Sequence, residues 1–143
     1  VYDKSLLNTF STVAKNLDME HVMVVHGDDG LDEISISGPT NISEYKNYKI
    51  EEYTISPQEF GITTSAFEEI SAQSSEQSLR MVQEAFSGEQ SAVQDMIALN
   101  AGAGLYIARK VDSISDGVEL AFTLMNNGKA ADKLAAYVRV SNS

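Results

Sequence analysis

Asp28, Asp29, Asp32 and Glu33 place four carboxylates within six residues, in the segment Gly27-Asp28-Asp29-Gly30-Leu31-Asp32-Glu33. Crowding that much negative charge into one loop costs Coulomb repulsion unless a cation or solvent screens it. A hard divalent cation suits such oxygens. Mg2+ typically takes one or two carboxylates and fills its other positions with water and substrate phosphate. The competing reading is a solvated acidic turn, which spacing alone favours, because short motifs match often by chance. An EF-hand loop is excluded, since it needs acidic or amide residues at alternate positions ahead of its glycine.

The elements that must hold this loop follow from periodicity. Asp3 has the chemistry of an N-cap. Leu6, Leu7, Phe10, Val13, Ala14 and Leu17 recur at helical spacing and predict a first helix with these residues on one buried stripe. His21-Val22-Met23-Val24-Val25-His26 is short and β-branched, and reads as a strand buried on both faces, as in parallel sheets. The acidic loop would then leave the C-terminal end of that strand, where ligands sit in open α/β sheets. Ile34-Ser35-Ile36-Ser37 alternates and predicts a short strand, ended by Gly38-Pro39. Residues 41–45 and 48–55 predict an antiparallel hairpin around Lys46-Asn47. A turn over 56–61 with Pro57 at its first position and an irregular stretch over 63–73 come next.

From Ser74 the pattern turns helical. Ser74 and Gln77 have the spacing of a capping box. One helix carries Leu79, Val82 and Phe86 and stops at Gly88, and a second carries Val93, Met96, Ile97, Ala101, Leu105 and Ala108. A third runs from near Ser115 to Asn127-Gly128, and a fourth over about 130–138. The expected architecture is α/β. Residues 1–73 form a partial sheet region bearing the acidic loop, and residues 74–143 form a helical region, together one structural unit.

Composition narrows the function. A length of 143 residues suits one domain. Ten Lys and Arg against 21 Asp and Glu give a formal net charge of -11. That balance argues against binding nucleic acid or anionic lipid through bulk electrostatics. No cysteine is present, so disulfides, thiolate zinc sites and cysteine nucleophiles are all excluded. The most apolar stretch, 92–108, is interrupted by Gln94, Asp95 and Asn100, and falls short of the ~20 apolar residues a bilayer span needs. Val1-Tyr2-Asp3-Lys4 is polar and does not open a signal peptide. The expectation is a cytoplasmic protein with no nucleic-acid or membrane partner, read from a start inside a longer chain.

Other candidates carry less. His21 and His26 are five apart, so on a strand they face opposite sides and cannot share a metal. Each reads as a structural histidine. Gly102-Ala103-Gly104 lacks the preceding strand and third glycine of a dinucleotide fingerprint. These small residues instead suit close helix packing. Met81, Met96 and Met125 read as core filling, and Arg109-Lys110 as cations at a helix C-terminus.

The stretch from Val24 to Ser35, Val-Val-His-Gly-Asp-Asp-Gly-Leu-Asp-Glu-Ile-Ser, followed by Gly38-Pro39-Thr40, resembles the signature of the anthranilate phosphoribosyltransferase family. Ile97-Ala98-Leu99-Asn100-Ala101 with Leu105-Tyr106 resembles that family's C-terminal helical part, as does Asp116-Gly117-Val118-Glu119-Leu120-Ala121 with Leu134. The likeness covers nearly the whole chain in the right order. The family's upstream glycine-rich loop of the Gly-Thr-Gly-Gly-Asp type does not occur in these residues, nor do its upstream Lys, His and Arg positions. At Asp28 the family commonly has Glu, and no direct role is assigned there.

The resemblance implies a truncated catalytic domain of the nucleoside phosphorylase and phosphoribosyltransferase type. It implies transfer of the phosphoribosyl group from phosphoribosyl pyrophosphate to anthranilate, with release of pyrophosphate, in tryptophan biosynthesis. Asp32 and Glu33 are then the acidic pair that holds Mg2+ against the pyrophosphate. The whole enzyme is expected to be a homodimer. The 143 residues alone are expected to lack turnover and to self-associate through uncovered surfaces. A related nucleoside phosphorylase-type enzyme and a non-catalytic module with a solvated acidic loop are the alternatives.

Overall fold

Asp3 begins the first helical element as an N-cap should, accepting from the Ser5 N–H at 2.9 Å. The structure, a computed structural model, describes residues 1–142. A 3-10 turn at Lys4–Leu6 runs into α1, Leu7–Asn16. The side of α1 that is buried is Leu7, Ser11 and Ala14. The expected stripe fails at Phe10, Val13 and Leu17, which are 50, 48 and 68% exposed. Close seating explains this: the Ser11 and Ser43 hydroxyls lie 2.6 Å apart beneath the helix, and larger side chains would hold the two elements apart.

Three strands follow: β1 at His21–Gly27, β2 at Thr40–Lys46 and β3 at Lys49–Ile55. They form a sheet in the order β1-β2-β3. Both pairings are antiparallel, with His21 opposite Lys46 and Gly27 opposite Thr40 in the first, and Thr40 opposite Ile55 in the second. The expected hairpin is present. Its two-residue turn uses Asn47 and Tyr48, both at positive φ (51° and 64°), as the twist-matched tight turn requires. The parallel neighbour expected for β1 is not among the described residues, where its one partner, β2, runs antiparallel. The β1 side chains are also half-buried at most positions. An apolar β-branched run marks a strand without revealing the direction of its neighbour.

The strand expected at Ile34-Ser35-Ile36-Ser37 does not form. Its backbone bonds go mostly to side chains instead of a ladder, with the Ile36 carbonyl accepting from Ser65 N–H at 3.1 Å. Ser35 N–H donates to the Thr40 hydroxyl at 3.0 Å, and Ser37 N–H to the Ser35 hydroxyl at 2.9 Å. Ile34 and Ile36 are buried in the core.

Pro57–Phe60 is the expected short helical turn, capped by the Glu59 carboxylate on the Ser56 N–H. Four helices then follow: α2 at Ser75–Phe86, α3 at Ala92–Ile107, α4 at Ile114–Asn126 and α5 at Lys129–Ser141. Ser74, Ser91 and Ser113 each cap the next helix by accepting from a backbone N–H. One core joins Ile34, Ile36, Ile42, Ile55 and Ile62 to Ala98, Leu99, Val118 and Met125. α3 and α4 approach so closely that a Cβ at Gly102 would lie 2.6 Å from the Val118 nitrogen. Among the described residues no helix is long and apolar enough to cross a membrane.

Candidate metal-anchoring loop

The loop between β1 and β2 sorts its four carboxylates into two pairs. Asp28 accepts from the Asn41 side-chain amide at 2.6 Å. Asp29 accepts from the Ser35 hydroxyl and, at 3.1 Å, from the Leu31 N–H. Asp32 and Glu33 are exposed, and among the described residues neither carboxylate has a hydrogen-bond or ion-pair partner. The sequence singled out all four acids. The structure spends the first two on holding the loop and leaves the second two facing solvent.

The turn itself is tight. Gly30 sits at φ 93°, a conformation glycine adopts without penalty. Gly30 N–H donates to the Gly27 carbonyl at 2.9 Å, and Gly27 N–H to the Leu31 carbonyl at 2.8 Å. Asp28 N–H reaches the Pro39 carbonyl at 2.9 Å. The loop is thus closed at its neck, and Asp32-Glu33 emerge on its returning arm.

That arm is held from the helical half. The Asn100 amide of α3 accepts from Ile34 N–H at 2.9 Å and donates to the Ile34 carbonyl at 2.8 Å. It also donates to the Met96 carbonyl at 3.0 Å. Sequence reasoning assigned Asn100 no role. A signal was present: an amide inside the apolar run Met96-Ile97-Ala98-Leu99 must find partners when half-buried.

The opposite end of the sheet carries a second polar cluster that the sequence did not reveal. His21 Nε2 lies 2.6 Å from Glu44 Oε1. Tyr53 and Tyr106 hydroxyls donate to the same carboxylate at 2.7 and 2.9 Å. Lys46 donates to the Tyr106 hydroxyl at 2.9 Å and sits 4.5 Å from the centre of its ring. Burial works to raise the Glu44 pKa, but the hydrogen bonds from Tyr53, His21 and Tyr106 outweigh it and hold the group below the ordinary value of 4.5. Burial, with Glu44 beside it, pushes the Tyr53 phenol upward. His21 thus has the internal partner expected of a structural histidine. His26 Nδ1 lies 2.9 Å from the Val1 carbonyl.

The exposed pair suits Mg2+ by the chemistry of its donors, two hard oxygen groups free of internal partners. Among the described residues no three or more His, Asp or Glu converge to cage a metal. Two carboxylates with water and phosphate oxygens completing the sphere is the usual Mg2+ arrangement.

Residues 1–131 match the family described as glycosyl transferase family, a/b domain. The chain is 41% identical over 138 residues to the anthranilate phosphoribosyltransferase of Halorhodospira halophila, covering 96% of this chain and 40% of that protein. It is 39% identical over 141 residues to the protein of the same name from Vesicomyosocius okutanii, covering 99% and 42%. Among solved structures, the anthranilate phosphoribosyltransferase of Thermus thermophilus superposes with a TM-score of 0.90 at 28% identity, over 100% of this chain and 42% of that one. The Saccharomyces cerevisiae enzyme in complex with PRPP and Mg superposes at 0.87 with 20% identity, over 100% and 42%, a likeness of fold alone. The chain spans about two fifths of the length of these relatives.

Proposed function

Because the chain belongs to the glycosyl transferase family whose a/b domain it matches over residues 1–131, we propose that it supplies the metal-anchoring part of an anthranilate phosphoribosyltransferase. That enzyme moves the phosphoribosyl group of phosphoribosyl pyrophosphate to the amine of anthranilate and releases pyrophosphate, in tryptophan biosynthesis. The observation that carries the reading is the exposed Asp32-Glu33 pair, whose carboxylates have no partner among the described residues, on a loop whose other two acids are internally bonded.

The chain's own residues have separable tasks. Asp28 and Asp29 close the loop, and Asp32 and Glu33 hold two negative charges at a fixed place beside the diphosphate. When bound, Mg2+ supplies the positive charge that offsets the leaving group as the ribosyl C–O bond breaks. Residues 1–73 present the pair and residues 74–143 brace it, acting as one unit. The glycine-rich phosphate cradle of the family does not occur in these 143 residues, so the chain by itself is assigned no turnover. For the whole enzyme we propose a cytoplasmic homodimer, as the family resemblance implies.

Calorimetric titration of preformed magnesium pyrophosphate into the chain tests the reading. Binding that is lost in Asp32→Asn/Glu33→Gln supports it. Binding that is absent in the native chain, or unchanged in the variant, overturns it.

A further inference from the structure

We infer that Asn100 is a positioning residue for the Asp32-Glu33 pair, acting by fixing the peptide plane from which Glu33 leaves the backbone. This rests on the reading of the pair as the metal anchor. Residues 31–37 belong to no strand, so nothing in the sheet ladder sets the direction of this arm. Two hydrogen bonds bracket the pair instead. The carbonyl of the Leu31–Asp32 peptide accepts from Gly27 N–H at 2.8 Å. The N–H of the Glu33–Ile34 peptide donates to Asn100 Oδ1 at 2.9 Å. The second Asn100 contact, at 2.8 Å to the Ile34 carbonyl, stops the arm from rotating about the first.

Asn100 can do this because it is itself fixed. Its amide nitrogen is shared with the Met96 carbonyl one turn back at 3.0 Å, and Leu99 beside it is fully buried. Ile34 is 2% exposed and anchors the arm in the core that α3 and α4 share with the sheet. The amide therefore behaves as a one-residue strand neighbour, pairing both polar groups of Ile34 from a helix. Two adjacent carboxylates bind one cation well only when their backbone is held, because ordering a free loop on binding costs conformational entropy.

Mn2+ is the probe, read by loss of the free-ion paramagnetic resonance signal on titration into the 143-residue chain. Asn100→Leu removes both contacts while keeping the branched, four-atom shape of the side chain. It is expected to weaken Mn2+ binding about 10- to 100-fold, the usual effect of losing a partner that orients metal ligands. Tyr106→Phe is the control. It breaks the bonds of α3 to Glu44 and Lys46, about 9 Å further along the helix by its rise per residue, and is expected to leave Mn2+ affinity unchanged. Unchanged affinity in Asn100→Leu, or an equal loss in Tyr106→Phe, overturns the positioning role. If Asn100→Leu does not fold, Asn100→Gln, whose amide sits one methylene too far out, is read by the same criteria. Asp32→Asn and Glu33→Gln in the same assay separate the two claims. If they leave binding intact, the metal-anchor reading itself fails, whatever Asn100 does.

Discussion

Gly102 of α3 and Gly117 of α4 meet backbone to backbone: a Cβ on Gly117 would strike the Gly102 carbonyl oxygen, and a Cβ on Gly102 would lie 2.6 Å from the Val118 nitrogen. Only a residue without a side chain permits that approach. Gly102→Ala is therefore expected to destabilise the chain by about 1–3 kcal/mol, the cost of overpacking a filled interface. Two residues on, a Cβ at Gly104 meets nothing within 4 Å, so Gly104→Ala is expected to stabilise by up to ~1 kcal/mol through helix propensity. Thermal denaturation of the two variants checks the pair. Equal effects of one sign would contradict the account.

Glu44 makes stability depend on acid. Its folded pKa is depressed below 4.5, because three donors outweigh the effect of burial. A depressed carboxylate contributes stability that is fully present above its unfolded pKa and is lost as pH falls through the folded value. Glu44→Gln keeps the shape but replaces charge-assisted bonds with neutral ones, a loss of about 1 kcal/mol at pH 7. That difference from the native chain is expected to shrink as pH falls below 4.5. Urea denaturation at a series of pH values measures it, and a constant difference would argue against the proposed role.

The acidic loop predicts two classes of variant. Asp29→Ala removes the acceptor of the Ser35 hydroxyl and the Leu31 N–H, and is expected to cost about 1–3 kcal/mol. Amide exchange over residues 31–35 should quicken with it. Asp32→Asn and Glu33→Gln break no hydrogen bond, so each should change stability by less than ~0.5 kcal/mol. A large stability loss in either would place the pair in the structural class instead.

Exposed apolar faces predict association. Phe10, Val13, Leu17 and Met19 are 47–68% exposed on and just beyond α1. An apolar groove of about 560 Å³ between α2 and α5 is lined by Leu79, Phe86, Leu134 and Val138. Contiguous apolar surface of this kind marks contact sites. Sedimentation should show self-association of the chain that weakens in Phe10→Ser/Leu17→Ser. A monomer at high concentration would refute this.

The hairpin, the turn at Pro57, the Ser74 cap and the helix order were all legible, because each rests on local chemistry: turn residues, caps and period. What was hidden depended on tertiary partners. The Phe10, Val13 and Leu17 stripe misled, because seating against β2 required the small Ser11 instead. Ile34-Ser35-Ile36-Ser37 alternates like a strand, yet its backbone groups are taken by Asn100, Thr40 and Ser35 side chains. β1 displays the apolar run of a parallel strand, but among the described residues its one neighbour is the antiparallel β2. Within the acidic loop, composition revealed four acids, but only the Asn41, Ser35 and Leu31 contacts separate the two that brace from the two left open.

The most direct test is turnover in a chimera, with these 143 residues replacing the matching segment of an anthranilate phosphoribosyltransferase relative. The chain alone should form no phosphoribosyl anthranilate, while the chimera should form it. In the chimera, Asp32→Asn/Glu33→Gln should cut kcat/KM by about 100-fold or more, the scale of losing a charge-stabilising contact in the transition state. A chimera that keeps its full rate with both amides in place would contradict the assignment of this pair to the metal.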